Sequence, residues 1–369
     1  MKHIFGALAG ASILASSAFA TTTGNTLYIA NNGLDSPTCG ASDAPCRSIS
    51  QGIVNAVAGD TLVVRPGKYG ENGSGSVDQP GEEFGTTLGA NAGVYVNKQL
   101  TIISSAGAES TLIDVANTSY AAVQIAADGV TFGAKGAGFT ITGGQYDGLD
   151  AFGVNLVTIA GNIASKNPQF GFAVASTGLI ELRGNSAFGN QNSGFVAFEG
   201  PAGAYVLLAN NTAIGNTYGM YTHGAASPHQ LVNNELNGND IGLEVVWGPV
   251  RIAQNNISGN TRGIEFFGPS TPISGPPVVV RNNLLGNKTF GIEISDEPAP
   301  GGLPRVRENN LFANGFCGTN NRSSQTLDAR NNFWGAATGP SDTDPADNAC
   351  SVSTPTRTTP FAVSEFAVR

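Results

Sequence analysis

Three glutamates are the residues of this chain best placed to do chemistry. Glu244, Glu265 and Glu293 each stand two residues after a glycine, in Gly242-Leu-Glu244, Gly263-Ile-Glu265 and Gly291-Ile-Glu293. In Gly-Ile-Glu-Phe the apolar residues alternate with the acid, so that Ile and Phe point to one side of a strand and Glu to the other. If such segments stack, the carboxylates form an outward file about 4.8 Å apart. Like charges in that arrangement repel, so at least one must hold its proton above the usual range, or a cation must sit among them. Two past each recurring glycine the whole row reads Asp150, Ala173, Val196, Tyr221, Glu244, Glu265, Glu293.

Three kinds of chemistry fit the file. Retaining glycoside hydrolysis uses carboxylates about 5 Å apart and inverting hydrolysis roughly 6.5–9.5 Å apart; neighbouring and alternate copies supply both. The same three glutamates are candidate ligands for Ca²⁺, which takes several carboxylate oxygens and would acidify the C5 proton of a bound uronate for a base to remove. His223, Arg262 and Lys288 are the candidate bases, the last two also candidate substrate contacts from the turns before Glu265 and Glu293. Thirdly, the row only binds: Tyr221, Trp247 and Phe267 offer flat faces to sugar rings beside acids that accept hydroxyl hydrogen bonds. The plain alternatives are a solvated acidic face, solvated turn cations and aromatics packed on nearby loops. Residues 268–277 and 295–304, the longest connections among the regular repeats, are rich in Pro and Gly and would wall a groove beside Glu265 and Glu293.

The elements that position these residues follow from a second pattern. Asn-x-x-x-x-Asn recurs as Asn162/Asn167, Asn185/Asn190, Asn211/Asn216, Asn234/Asn239, Asn255/Asn260, Asn282/Asn287 and Asn309/Asn314. Repeats of this length mark a solenoid, and period-two alternation in runs of about 3 to 5 residues marks strands. Each unit suits one coil of a parallel β-helix, with Asn and Gly supplying turns and tolerating positive φ. Stacked Asn residues bond one another, since an amide both donates and accepts. They are structural, not catalytic.

Three segments resemble the pectin-lyase-like family of right-handed parallel β-helix proteins. They are Leu27-Tyr-Ile-Ala-Asn31 with Pro45-Cys-Arg-Ser-Ile49 and Gly59-Asp-Thr-Leu-Val-Val-Arg-Pro-Gly-Lys-Tyr69, the Asn/Gly coil itself, and Asn331-Asn-Phe-Trp-Gly335 with Gly339-Pro-Ser341. The resemblance spans residues 26–335. It implies an all-β solenoid but no single activity, because the fold hosts lyases, hydrolases, epimerases and adhesins. Tyr146-Asp-Gly-Leu-Asp150 is similar to the Tyr-Gly-x-Asp-Pro-His element of mannuronan epimerases. The order differs and Ala151-Phe152 stands in place of Pro-His, which removes the ground for carrying epimerase chemistry over.

Residues 1–20 read as a secretory signal, with Lys2 and His3 before an apolar stretch and Ala18-Phe-Ala20 as the cleavage site. Its removal takes Lys+Arg from 18 to 17 against 27 Asp+Glu, and the net charge from −9 to −10. Such a chain is a poor partner for nucleic acid or an anionic membrane. No other segment is apolar enough to span a membrane. Four cysteines in an exported protein suggest two disulfides, most simply Cys39–Cys46 and Cys317–Cys350. Residues 21–59 read as a strand, a disulfide loop and a short helix from Ser48 to Val57 that plugs the core's open end. Residues 60–335 read as the β-helix and 336–369 as a tail that covers its far end or is partly disordered. The resulting expectation is a monomeric, secreted or periplasmic protein that binds or processes a polysaccharide or cell-surface glycan. The alternative is a non-catalytic adhesion or structural β-helix of the cell surface.

Overall fold

The computed structural model describes residues 24–70, 81–224, 227–246, 248–267, 275–295, 302–342, 346–351 and 355–368. The expected signal sequence, Trp247 and most of the two Pro/Gly-rich connections lie outside them. The described strands wind into three parallel sheets of 11, 11 and 10 strands, a solenoid of about 9 turns. One coil comprises Arg251–Ala253, Asn256–Ser258 and Arg262–Phe267, one strand in each sheet. Each pairs in register with its successor in the next coil, so like residues stack: Ile252 on Val279, Ile257 on Leu284, Ile264 on Ile292. These six side chains are fully buried. They belong to one continuous apolar core, and this inward stacking turns period-two alternation into a cylinder.

The asparagines form two ladders at the corners. Asn255 Oδ1 accepts both the backbone and the side-chain N–H of Asn234, at 2.8 and 2.9 Å. Its Nδ2 donates to the Leu231 carbonyl at 3.0 Å and to Asn282 Oδ1 at 2.9 Å. The first ladder runs on from Asn309 to Asn332, and the second ends from Asn314 on the Asp347 carboxylate. The residue ahead of a ladder Asn takes the left-handed conformation, with φ of 56° at Asn210, 55° at Asn233 and 59° at Gln254. The recurring glycine differs from expectation. Gly171, Gly194, Gly219, Gly242, Gly263 and Gly291 are absent from the positive-φ residues. They are glycine for clearance: a Cβ on Gly242 would lie 2.7 Å from both the Gly263 carbonyl oxygen and Ile257 Cγ2.

Both ends are closed. The helix spans Ile49–Asn55 behind the expected N-cap Ser48, and Ile49 and Ile53 join the core. Buried Glu83 accepts the Ile49 and Ser50 N–H groups, each at 2.7 Å. Lys98 Nζ donates to the carbonyls of Ile53, Val54 and Ala56 at the other end. Glu83 thus satisfies free N–H groups of the first turn, although burial raises its carboxyl to about 8, and the Lys98 ammonium complements the carbonyl end of the helix dipole. Cys39–Cys46 and Cys317–Cys350 are disulfides. At the far end Trp334 is fully buried, Ala349–Ser351 extends a sheet, and Ala362 N–H reaches the Asn332 carbonyl. The described part of the tail therefore covers the end of the solenoid.

Candidate functional site

The site lies on the sheet formed by the longest strand of each coil, including Asp147–Val154, Phe170–Ser176, Ser193–Ala197, Tyr218–His223, Ile241–Val246, Arg262–Phe267, Phe290–Ile294 and Cys317–Asn321. The file is in register as expected: Tyr221 pairs with Glu244, Glu244 with Glu265, Glu265 with Glu293, and Glu293 with Asn320. The expectation that its acids face open solvent is corrected. Glu244 is 9 % exposed and Glu293 4 %. They point away from the core but are covered by their neighbours on the face.

A second column explains the covering. Strand pairing skips each recurring glycine: Tyr218 pairs with Ile241, then Met220 with Leu243. The residue before the glycine and the one three places on then meet on the same face. Tyr218 and Tyr221 contact edge to face, with ring centroids 6.1 Å apart. Arg262 and Glu265 form an ion pair at 2.7 Å. Asp147 and Asp150 lie close enough to shift each other. Each coil thus presents two adjacent side chains rather than one.

Arg262 decides the electrostatics of the glutamate end. Its Nη1 holds Glu265, and its Nε lies 3.1 Å from Glu293 Oε2 in the next coil. Arg322 approaches Glu293 at 3.7 Å, and Asn320 donates to the same carboxylate at 3.1 Å. Burial, then repulsion from Glu265, pushes Glu244 up to about 7, with Arg262 opposing. Burial also raises Glu293, partly offset by Arg262. The cation lying between Glu265 and Glu293 is the Arg262 guanidinium. Among the described residues the three glutamates do not converge as a metal-ligand cluster; Asp35, Cys39 and Cys46 do, and the two cysteines there are a disulfide. With Arg262 between them, Glu265 and Glu293 already face a cation.

The remaining candidates separate. His223 lies two residues past Tyr221 and is half-buried, in a row with Val246 and half-exposed Phe267. Arg262 is tied to two carboxylates. Lys288 is exposed in the turn before Phe290. Trp247 lies outside the described residues, as do Asp296 and Glu297.

Two features went unread in the sequence. Asp147 and Asp150 are both buried and close enough that each shifts the other, and Asp150 Oδ1 has no hydrogen-bond partner among the described residues. Burial raises both, and repulsion from Asp147 raises Asp150 further. Asp147 also accepts the Phe170 N–H at 3.1 Å. Next to them is an aromatic cluster. Phe198 stands 6.0 Å from Phe152, 6.1 Å from Phe170 and 6.5 Å from Tyr221, centroid to centroid. Phe170, Asn192, Ser193, Phe198, Tyr218 and Tyr221 line a hollow of about 280 Å³. The signal for both was the residue before each glycine, which gives Asp147, Phe170, Ser193, Tyr218, Ile241, Arg262 and Phe290 in line.

The comparisons with known proteins concern the fold. The family model described as "Right handed beta helix region" matches residues 101–250. No curated protein sequence matches the chain. Among solved structures, the A-module of mannuronan C-5 epimerase AlgE4 from Azotobacter vinelandii is similar over 82 % of this chain and 91 % of its own, at 15 % identity and a TM-score of 0.53. Pectate lyase Pel9A is similar over 78 % and 80 %, at 16 % identity and a TM-score of 0.50. The Dettilon tailspike protein is similar over 89 % and 68 %, at 14 % identity and a TM-score of 0.51. At such identities the likeness is one of fold, and it agrees with the coil, the ladders and the three sheets: the chain has the fold of a right-handed parallel β-helix.

Proposed function

We propose that this is an exported β-helix protein that binds a polysaccharide, or processes one, along the face from the Asp147/Asp150 pair to Glu293. One observation carries the proposal: a single in-register face joins an aromatic-lined hollow to carboxyl groups that burial has raised. Aromatic faces suit sugar rings, and carboxyls suit sugar hydroxyls. Of the three glutamates, Glu244 is the group that would exchange protons near neutrality, since Arg262 already pairs with the other two. Export rests on residues 1–20 acting as a cleaved signal and agrees with the two disulfides. Residues 60–335 would carry the face, with 21–59 and 336–369 as its caps. The structural neighbours named above include an epimerase and a lyase of polysaccharides, which favours this class of ligand.

A second reading, a non-catalytic adhesion or structural role, is favoured by the same ion pairs, which occupy Glu265 and Glu293. The experiment is turnover and binding on a broad polysaccharide panel, with and without Ca²⁺, scoring new reducing ends and unsaturated uronates. A Glu244→Gln/Glu265→Gln/Glu293→Gln variant of unchanged melting temperature is the control. Turnover lost in that variant supports an enzyme using these carboxyls. Binding without turnover moves the protein to the second reading, and neither binding nor turnover overturns the polysaccharide proposal.

A further inference from the structure

We infer that the polysaccharide taken on this face is uncharged; this rests on the reading above and narrows its ligand. The hollow is lined by neutral groups alone: two phenylalanine rings, two phenols, the Asn192 amide and the Ser193 hydroxyl. Carboxyls flank it on both sides. Asp147 accepts the N–H of Phe170, a hollow-lining residue, and Glu244 is the in-register neighbour of Tyr221, another. A uronate seated in the hollow would meet acids in both axial directions, and each would have to keep its proton for the anion to stay.

A polyanion would need free cations, and the guanidiniums of this face are already engaged. Arg262 pairs with Glu265 and Glu293, and Arg322 approaches Glu293. Lys288 is exposed, but it precedes the strand of Glu293, three coils beyond Tyr221, roughly 14 Å along the axis. His223 shares the Tyr221 strand as a half-buried imidazole. The whole chain carries a net charge of −9, so long-range attraction is absent too. Aromatic surface continues beside the glutamates: half-exposed Phe267 shares the strand of Glu265, Phe290 that of Glu293, and exposed Phe316 stands on the next coil with its ring centroid 5.8 Å from that of Phe290. Stacking surface thus lies before and alongside the acids. A neutral chain can lie over them, with its hydroxyls donating to the carboxyls and no charge left unpaired.

A matched pair of ligands tests this: polygalacturonate and alginate against the carboxyl-reduced forms of the same chains, together with neutral mannan and xylan. Binding is measured by titration calorimetry at low and physiological salt. The expected result is tighter binding of neutral chains, by roughly tenfold or more, with little salt dependence and weakening in Phe198→Leu and Tyr221→Leu variants. Tighter binding of a polyuronate than of its reduced form, lost in salt or in a Lys288→Ala variant, overturns the inference and leaves the polysaccharide proposal standing. Binding of no glycan in either class overturns both.

Discussion

Arg262 and Glu244 divide the work on the glutamate file. Arg262 compensates two acids, and Glu244, one coil away, is pushed upward first by burial and then by Glu265. The Glu244 level of about 7 is raised above the ordinary carboxylate range, so the folded chain holds a proton that the unfolded chain releases. That contribution to stability is complete below about pH 4 and is lost as pH rises through 7. Glu244→Gln should therefore unfold at higher denaturant than the wild type at pH 8, by roughly 2 kcal/mol, and at about the same denaturant at pH 4. Arg262→Met should behave oppositely. It leaves Glu265 without its ion pair and Glu293 with only Arg322 and Asn320 beside it, so stability at pH 8 should fall by roughly 2–3 kcal/mol. Part of that loss should return at pH 5, where the freed carboxyls can protonate; denaturant curves at the two pH values decide it. None of this was readable residue by residue. The sequence showed the acids as a file and predicted crowding within it. It gave no sign that Arg262, which opens the strand of Glu265, reaches both that acid and Glu293 of the next coil.

The coil is the element, and the asparagine ladder fixes its height. Asn255 both receives and makes bonds to coils on either side. Asn255→Ala would strand the Asn234 N–H and the Leu231 carbonyl inside the corner. We expect a loss of roughly 3 kcal/mol, read as a lower melting temperature, whereas Asn256→Ala next door, half-buried and outside the ladder, should change little. The ladder was legible because spacing alone reveals it. The helix at the other end was legible from Ser48 and its apolar spacing, but not its stabilising charges. Glu83 lies 34 residues from Ile49, and Lys98 lies 45 from Ile53. The recurring glycine was seen and its reason misjudged, since clearance from the next coil's carbonyl exists only once coils are stacked.

For the whole molecule, the closed ends matter most. A solenoid stopped without a cap exposes strand edges and core side chains. Here Asp347 closes the second ladder, and Phe366 exchanges hydrogen bonds with Asn310. Truncation after residue 335 should lower the melting temperature and produce concentration-dependent association by light scattering. A truncated chain that stayed monomeric and equally stable would remove the tail from the folded unit. The same whole-molecule view separates what each level decides. By itself the sequence determined the coil, its register and the file of Glu244, Glu265 and Glu293, because those depend on periodicity, and a repeat of near-constant length must stack like on like. The tertiary structure alone decided the rest: the meeting of Asp147 with Asp150, of Arg262 with two glutamates, and of Phe170, Phe198, Tyr218 and Tyr221 around one hollow. Those contacts arise where the strand breaks step at its glycine and where one coil lies on the next. No count of residues along the chain records either event.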